Sequence, residues 1–355
     1  MESDLAKIIS GLAYLLTILL NSSLIYLTAY HTKRISRTYR QMIIGFAMVG
    51  IVFSTFDLVV RPIMHSYNGC FLYFSLEGLF RSSKPLTEVL LAIYSAIYST
   101  ILSFLTIQYL FRTSLLISPN LTVYFRGWKF LVWLVYVIFF GVTWGYITYA
   151  HAYPDDYARD YVRRELHEQY GVDADKIPLF VMLAYQESNG QKRVRLQSLV
   201  CIFGDMGIIS VQYVIMISCG VVMWRKIRKD LRVTSGAMGS RVQKQFFKAL
   251  VWQLAAPSLL VHLPAVPLFF APFFDMKISF RTRIVVYFFS FYPLFDSLIL
   301  FCIVTDYKIA VKKLLRNRLK VGVKSVDVDA QQQPDDDDLN GNDSDTKQQN
   351  RITGY

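Results

Sequence analysis

The sequence predicts an all-α membrane protein, a seven-transmembrane helix bundle, and three observations predict it. The chain has 355 residues, of which 54% are hydrophobic and 18% charged, too apolar for a water-soluble domain of this size. Seven apolar runs of twenty or more residues recur along it, each long enough to cross the ~30 Å hydrocarbon core of a bilayer. Basic residues gather on alternate connecting segments, the asymmetry expected of cytosolic loops.

The first run is Leu5–Tyr30. It follows Glu2 and Asp4, acids where a cleaved signal peptide needs bases, so no such peptide is expected. Asn21 heads an Asn-Ser-Ser triplet inside this run, where no glycan is expected. Lys33, Arg34, Arg37 and Arg40 precede the second run, Met42–His65. Leu86–Phe111 and Phe130–Ala150 are the third and fourth, and Leu199–Trp224 is the fifth. Segment 225–248 then carries eight bases, among them Arg225, Lys244 and Lys248. Phe246–Phe274 is the sixth run, interrupted by Pro257, Pro264 and Pro267, and Ile284–Thr305 is the seventh. The basic segments place the N-terminus outside and the C-terminus in the cytosol. They also assign the net charge of +12 to anionic lipid and a cytosolic partner, and not to nucleic acid.

Residues 1–305 therefore read as the membrane domain. Its longest outside segment, 151–198, reads as a helix followed by a hairpin around Asn189-Gly190, lying as a lid over the outer mouth. Residues 306–322 place Ile309, Val311, Leu314, Leu315 and Leu319 among bases, as in a short amphipathic helix on the inner leaflet. Residues 323–355 are acidic, amide-rich and poor in apolar residues, the composition of a disordered cytoplasmic tail.

Charges inside apolar runs are costly, so each needs a partner or a role. Asp57 and Arg61 stand four apart and can meet along one helix face as a structural pair bracing the second helix. Asp205 lies near the outer end of the fifth run, facing either a ligand or a neighbour. Asp296 follows Pro293 in the seventh run, a kink combined with a polar contact. The outer halves of the third, sixth and seventh runs are aromatic and mostly uncharged. Tyr94, Ser95, Tyr98, His262, Tyr287 and Phe291, with Asp205, are the candidate ligand-binding residues, suited to a small organic molecule. Helix-packing core is the competing reading for each of them. Cys70 and Cys201 fall near the outer ends of their segments, where thiols can pair, so a disulfide and two separate thiols are both open. No catalytic motif, metal-ligand spacing or cofactor signature is present, which argues against an enzyme.

Particular stretches resemble a known family. "RPIMH" at 61–65 with the preceding aspartate, "QKQFFKALVWQ" at 243–253, "APFFD" at 271–275, "FYPLFDSLI" at 291–299 and "YQESNG" at 185–190 are similar to the nematode seven-transmembrane chemoreceptors of the Str type, the family of the diacetyl odorant receptor. Two positions depart from that family's pattern. Phe111-Arg112-Thr113 stands where Tyr-Arg-Tyr is usual, and Asp296-Ser297 where Asp-Pro is usual. The resemblance implies a G-protein-coupled chemosensory receptor in a sensory-neuron cilium. Its ligand would be an odorant or pheromone, and Arg112 and segment 225–248 would lie at the face of a heterotrimeric G protein. Taken from the residues alone, a ligand-gated channel or a small-molecule transporter of seven helices remains the alternative.

Overall fold

A computed structural model of the chain describes residues 2–32, 36–188, 190–233, 238–274, 280–281, 283–313 and 316. Among the described residues, seven helical segments are long and apolar enough to span a membrane: Lys7–Tyr30, Arg37–Val60, Lys84–Ile117, Gly127–His151, Leu196–Lys229, Gln243–Phe274 and Val286–Ile303. They are built from helices α1 (Glu2–Tyr30), α2 (Arg37–Val60), α3 (Lys84–Ile117), α4 (Phe130–His151), α6 (Leu196–Val233), α7 (Met238–Pro257), α8 (Leu263–Phe270) and α9 (Arg283–Ile303). Leu15 and Leu19 of α1, Val135 and Val142 of α4 and Val214 of α6 are all exposed on the bundle's outside. Apolar belts of that kind suit lipid, with every backbone group bonded inside its own helix. The chain divides into two compact units, Met1–Ala310 and Val311–Tyr355. Of the expected juxtamembrane helix, residues 305–313 are helical; most of its remainder, and the whole of 323–355, lie outside the described residues.

The expectation of an all-α protein needs correcting, because one end of the bundle carries a β-sheet. Strands β1 (Pro62–Tyr67), β2 (Cys70–Ser75), β3 (Leu179–Leu183) and β6 (Phe280–Arg281) form one sheet in the order β3-β2-β1-β6. Strands β4 (Tyr185–Ser188) and β5 (Gln191–Val194) form a separate hairpin. The second run accordingly stops short of His65. Helix α2 ends at Val60 because Arg61 takes a left-handed conformation, φ 48°, and Pro62 cannot continue a helix. Asn68 (φ 40°) and Gly69 (φ 77°) then form a two-residue hairpin turn with both residues left-handed, between partners Tyr67 and Cys70.

The sheet's two faces follow the period of two. Cys70, Leu72 and Phe74 of β2, with Leu179, Val181 and Leu183 of β3, pack against Ala158, Val162 and Leu166 of helix α5 (Asp156–Tyr170). The intervening residues, Phe71 and Tyr73 of β2 and Met182 of β3, face the helix bundle. This alternation also settles the cysteines: no Cys70–Cys201 disulfide forms, and both are free and buried. Cys70 packs on the α5 face of the sheet. Cys201 lies on the bundle side, its Sγ 3.9 Å from Met182 Sδ. Burial raises the pKa of the Cys70 thiol well above the ordinary value, which keeps it unreactive.

Asp155 caps α5, accepting from Ala158 N–H at 2.9 Å and pairing with Arg195 Nη2 at 2.8 Å. Burial works to raise its pKa, but these hydrogen bonds overcome it and hold the carboxyl below the ordinary 3.8. A group depressed on folding stabilises above its unfolded pKa and loses that contribution as pH falls through the folded one. Hydrogen exchange of α5 amides should therefore accelerate more as pH falls below about 4 in the wild type than in Asp155→Asn, after correction for intrinsic exchange rates. Identical profiles would remove this cap from the sheet's acid response.

Helices α3 and α4 approach closely through a small-residue seam. A Cβ on Gly145 would sit 3.0 Å from Ala96 Cβ and 3.1 Å from Ala92 O, and one on Gly141 would collide with Thr100 Oγ1. Gly-x-x-x-Gly seams of this kind let membrane helices pack backbone to backbone. Gly145→Val should lose ~1–3 kcal/mol by overpacking. A lower melting temperature of the purified protein would register the loss, and an unchanged one would contradict it.

Candidate functional site

The sheet roofs a cavity of about 110 Å³. Met64, Phe71, Tyr73 and Met182 form the roof, and Tyr94, Tyr98, Trp144, Asp205, His262 and Phe289 are among the walls. Five of the seven residues expected at a ligand site, Tyr94, Ser95, Tyr98, Asp205 and His262, meet here. The other two do not. Tyr287 lines a different cleft, of about 130 Å³, with Lys7, Arg61 and Glu77, and Phe291 packs toward Phe295 at 6.5 Å between ring centroids. Helix α9 instead turns Phe289 and Tyr292 toward Tyr98, at 4.8 and 6.4 Å. Two residues along a helix is a rotation of about 200°, so Tyr287 and Phe291 point away from the face that Phe289 presents.

Three polar arrangements surround the cavity. The first is a chain of hydrogen bonds that fixes a tautomer. Ser258 Oγ donates to Leu254 O at 2.5 Å, and its oxygen contacts Tyr213 OH at 2.7 Å, so Tyr213 donates to Ser258. Tyr213 also contacts His262 Nδ1 at 2.8 Å, and with its own proton spent it must accept there. His262 therefore carries its proton on Nδ1, and Nε2 accepts from Tyr98 OH at 2.6 Å. This chain crosses the break in the sixth span. Ser258–His262 is a π-helical turn placed directly after Pro257, whose missing N–H loosens the α-helical register. Sequence reading missed Tyr213. Its signal was phase, since positions 205, 209 and 213 of α6 follow one another one turn apart on one face.

The second arrangement corrects the expected Asp57–Arg61 pair. Asp57 accepts from Tyr94 OH at 2.9 Å and from Ser290 Oγ at 2.6 Å, tying α2 to α3 and α9. Arg61 pairs with Glu77 at 3.8 Å, and Lys7 contacts the same carboxylate at 3.1 Å. The left-handed turn at Arg61 carries it off the helical face on which an i,i+4 contact would form. The third is Asp205. It is 8% exposed, its Oδ1 has no hydrogen-bond partner among the described residues, and its Oδ2 lies 4.0 Å from Cys201 Sγ.

At the opposite end of the bundle Arg112 is buried, at 5% exposure. Its guanidinium carbon sits 3.5 Å from the centroid of Tyr39 and 4.0 Å from that of Phe246, and Nη1 donates to Gln243 Oε1 at 3.1 Å. Among the described residues, arginine thus joins α3 to α2 and α7 by two aromatic faces and one hydrogen bond, with no carboxylate. Arg225, Lys244 and Lys248 are exposed. Between the two ends, Asn21 is 2% exposed, and its amide donates to Pro293 O at 3.4 Å while Ser297 Oγ donates to its Oδ1 at 2.8 Å. That contact uses the carbonyl of Pro293, which lies inside α9. Asp296 is buried, with Oδ1 unpartnered among the described residues. No cluster able to hold a metal occurs among the described residues.

The family model described as serpentine-type 7TM GPCR chemoreceptor Str matches residues 6–312. The chain is 39% identical to the G-protein coupled receptor str-33 of Caenorhabditis elegans, over 88% of this chain and 91% of that one. It is 28% identical to the serpentine receptor class r-10 of Caenorhabditis elegans, over 76% of this chain and 79% of that protein. The Caenorhabditis briggsae protein of the same name is also 28% identical, over 87% and 90%.

Proposed function

The chain belongs to the Str family of serpentine-type seven-transmembrane G-protein-coupled chemoreceptors, and on that premise we propose that it binds a small odorant or pheromone in the roofed cavity and signals through a heterotrimeric G protein. The observation that carries this reading is the continuity of cavity and lever. Tyr98 and His262 line the cavity, and through Tyr213 and Ser258 they hold the π-helical turn that divides the sixth span. A ligand that presses on Tyr98 or His262 would favour one angle of α8 on α7. It shifts the population by its difference in affinity for the two arrangements and by nothing else. Helix α7 carries Gln243 and Phe246, the residues that hold Arg112, so a swing of α7 would free that arginine for the G protein.

The exposed bases Arg225, Lys244 and Lys248 support a cytosolic position for this end, with the N-terminus outside. The amphipathic segment 306–322 would then lie on the anionic inner leaflet, ahead of a solvated tail at 323–355. Membership in a chemoreceptor family supports the plasma membrane of a sensory cilium as the working location.

Cells expressing the chain, screened against small volatile and water-soluble compounds, should give a calcium or cyclic-nucleotide response that G-protein blockade abolishes. A response that survives blockade would replace the receptor with a ligand-gated channel. Accumulation of labelled ligand inside the cell would replace it with a transporter.

A further inference from the structure

The cavity presents acceptors and almost no donors. Tyr73 OH donates to Leu91 O at 3.1 Å, Tyr94 OH to Asp57 at 2.9 Å and Tyr98 OH to His262 Nε2 at 2.6 Å. His262 Nδ1–H is spent on Tyr213, at 2.8 Å. Ser95 and Thr148 contact each other at 3.4 Å, and Ser95 Oγ passes its proton to Ala92 O at 2.8 Å. Among the described lining side chains, the donors left over are the Trp144 indole N–H and the Thr148 hydroxyl, which has only the 3.4 Å contact to Ser95. The acceptors left without a donor among the described residues are the oxygen of Tyr98 and, above all, Asp205 Oδ1, which is fully buried in the cavity wall.

A buried carboxylate without a counter-charge is unfavourable, and among the described residues no Lys or Arg lines this cavity to supply one. His262 does not supply it either, because both its ring nitrogens are engaged by tyrosines. A ligand that brings a cation and N–H donors would satisfy Asp205 and the Tyr98 oxygen together. An acceptor-only ligand, such as a ketone or ester, could take the Trp144 N–H but would leave the Asp205 oxygen without a donor. Size narrows the class further. An apolar cavity of ~150 Å³ holds benzene, so about 110 Å³ takes roughly four to five non-hydrogen atoms.

We infer that the ligand class of this cavity is a small aliphatic amine of about five non-hydrogen atoms, bound as the ammonium ion on Asp205, with its hydrocarbon part against Phe269, Phe289 and Val261. This rests on the reading that the cavity is the receptor's ligand site. Such an amine is protonated at neutral pH, as a lysine side chain is. Charge-assisted hydrogen bonds to the carboxylate then give selectivity over neutral molecules of equal size.

The test is direct binding to the full purified chain in lipid nanodiscs, without G protein. Isobutylamine, isobutanol and butanone serve as isosteric probes, and the readouts are thermal stabilisation and competition. Isobutylamine should stabilise the wild type at a concentration at least about tenfold below that needed for isobutanol or butanone, the discrimination of one charge-assisted hydrogen bond. Asp205→Asn should erase that preference, and Ala265→Phe, which fills the cavity and leaves Asp205 in place, should weaken all three probes. Equal binding of butanone or isobutanol in the wild type overturns the assignment, as does an amine preference that persists in Asp205→Asn, or no stabilisation by isobutylamine. Should Asp205→Asn fail to fold, the wild-type comparison decides alone. Amine binding without G-protein activation in cells would leave the Asp205 site standing and remove the receptor mechanism. Activation by ketones, unchanged in Asp205→Asn, would do the reverse.

Discussion

Arg112→Ala should reach the cell surface and bind ligand but lose agonist-stimulated nucleotide exchange on the G protein. The geometry makes these outcomes separable. Arg112 is buried, yet its Nε and Nη2 have no hydrogen-bond partner among the described residues. Truncating it removes an incompletely compensated charge from the bundle and orphans no buried carboxylate, so folding should be spared. What disappears is the group that α7 would release to the G protein. For any compound that activates the wild type, the stimulated rate should fall by about 5–150-fold, the range of a ~1–3 kcal/mol coupling. Phe246→Ala supplies the complementary case. It removes one of the two aromatic faces holding the guanidinium, so basal exchange should rise. An Arg112→Ala receptor that signals normally would take this arginine out of the mechanism.

Asp57→Ala acts on the fold. Its carboxylate accepts from Tyr94 and Ser290, and truncation leaves their hydroxyls unequally placed. Ser290 retains a bond to Val286 O at 3.2 Å, whereas Tyr94, 2% exposed, has no second acceptor among the described residues. Leaving a buried donor unsatisfied costs ~1–3 kcal/mol, and the void left by the carboxyl adds to it. The expected result is a lower melting temperature and reduced surface delivery, with the rank order of ligands kept. The double variant Asp57→Ala/Tyr94→Phe should be no less stable than Asp57→Ala, because the phenylalanine has no hydroxyl to orphan. Normal surface levels with a reordered ligand series would contradict the assignment and make Asp57 part of the binding site.

Seven spans and their approximate limits were legible in the residues, because crossing hydrocarbon demands about twenty apolar residues in a row and leaves little choice of form. The alternating bases set an expectation of orientation and nothing finer. Hydropathy hid the sheet. "PIMHSYNGCFLYFS" holds Asn68-Gly69 between alternating residues, a hairpin signal overlooked because the first strand was absorbed into the end of the second apolar run, Met42–His65. Both cysteines were rightly placed near the same end of the bundle. Only the pleat decided that Cys70 and Cys201 lie on opposite faces of the sheet.

Types of residue in the cavity were legible, and their rotation was not. Tyr94, Ser95, Tyr98, Asp205 and His262 meet because α3, α6 and the turn after Pro257 happen to present those faces inward. Tyr287 and Phe291, equally aromatic, fall on the wrong side of α9. The same holds for Asp57. Spacing offered it Arg61, and the bundle gave it Tyr94 and Ser290, which are 37 and 233 residues away. The sequence by itself determined that this protein crosses the membrane seven times and must account for its few intramembrane charges, since solvent chemistry acts on each segment separately. Only the tertiary structure decided which partner each charge found and which carboxylate was left facing the cavity, because helix rotation is set by packing between segments far apart in the chain.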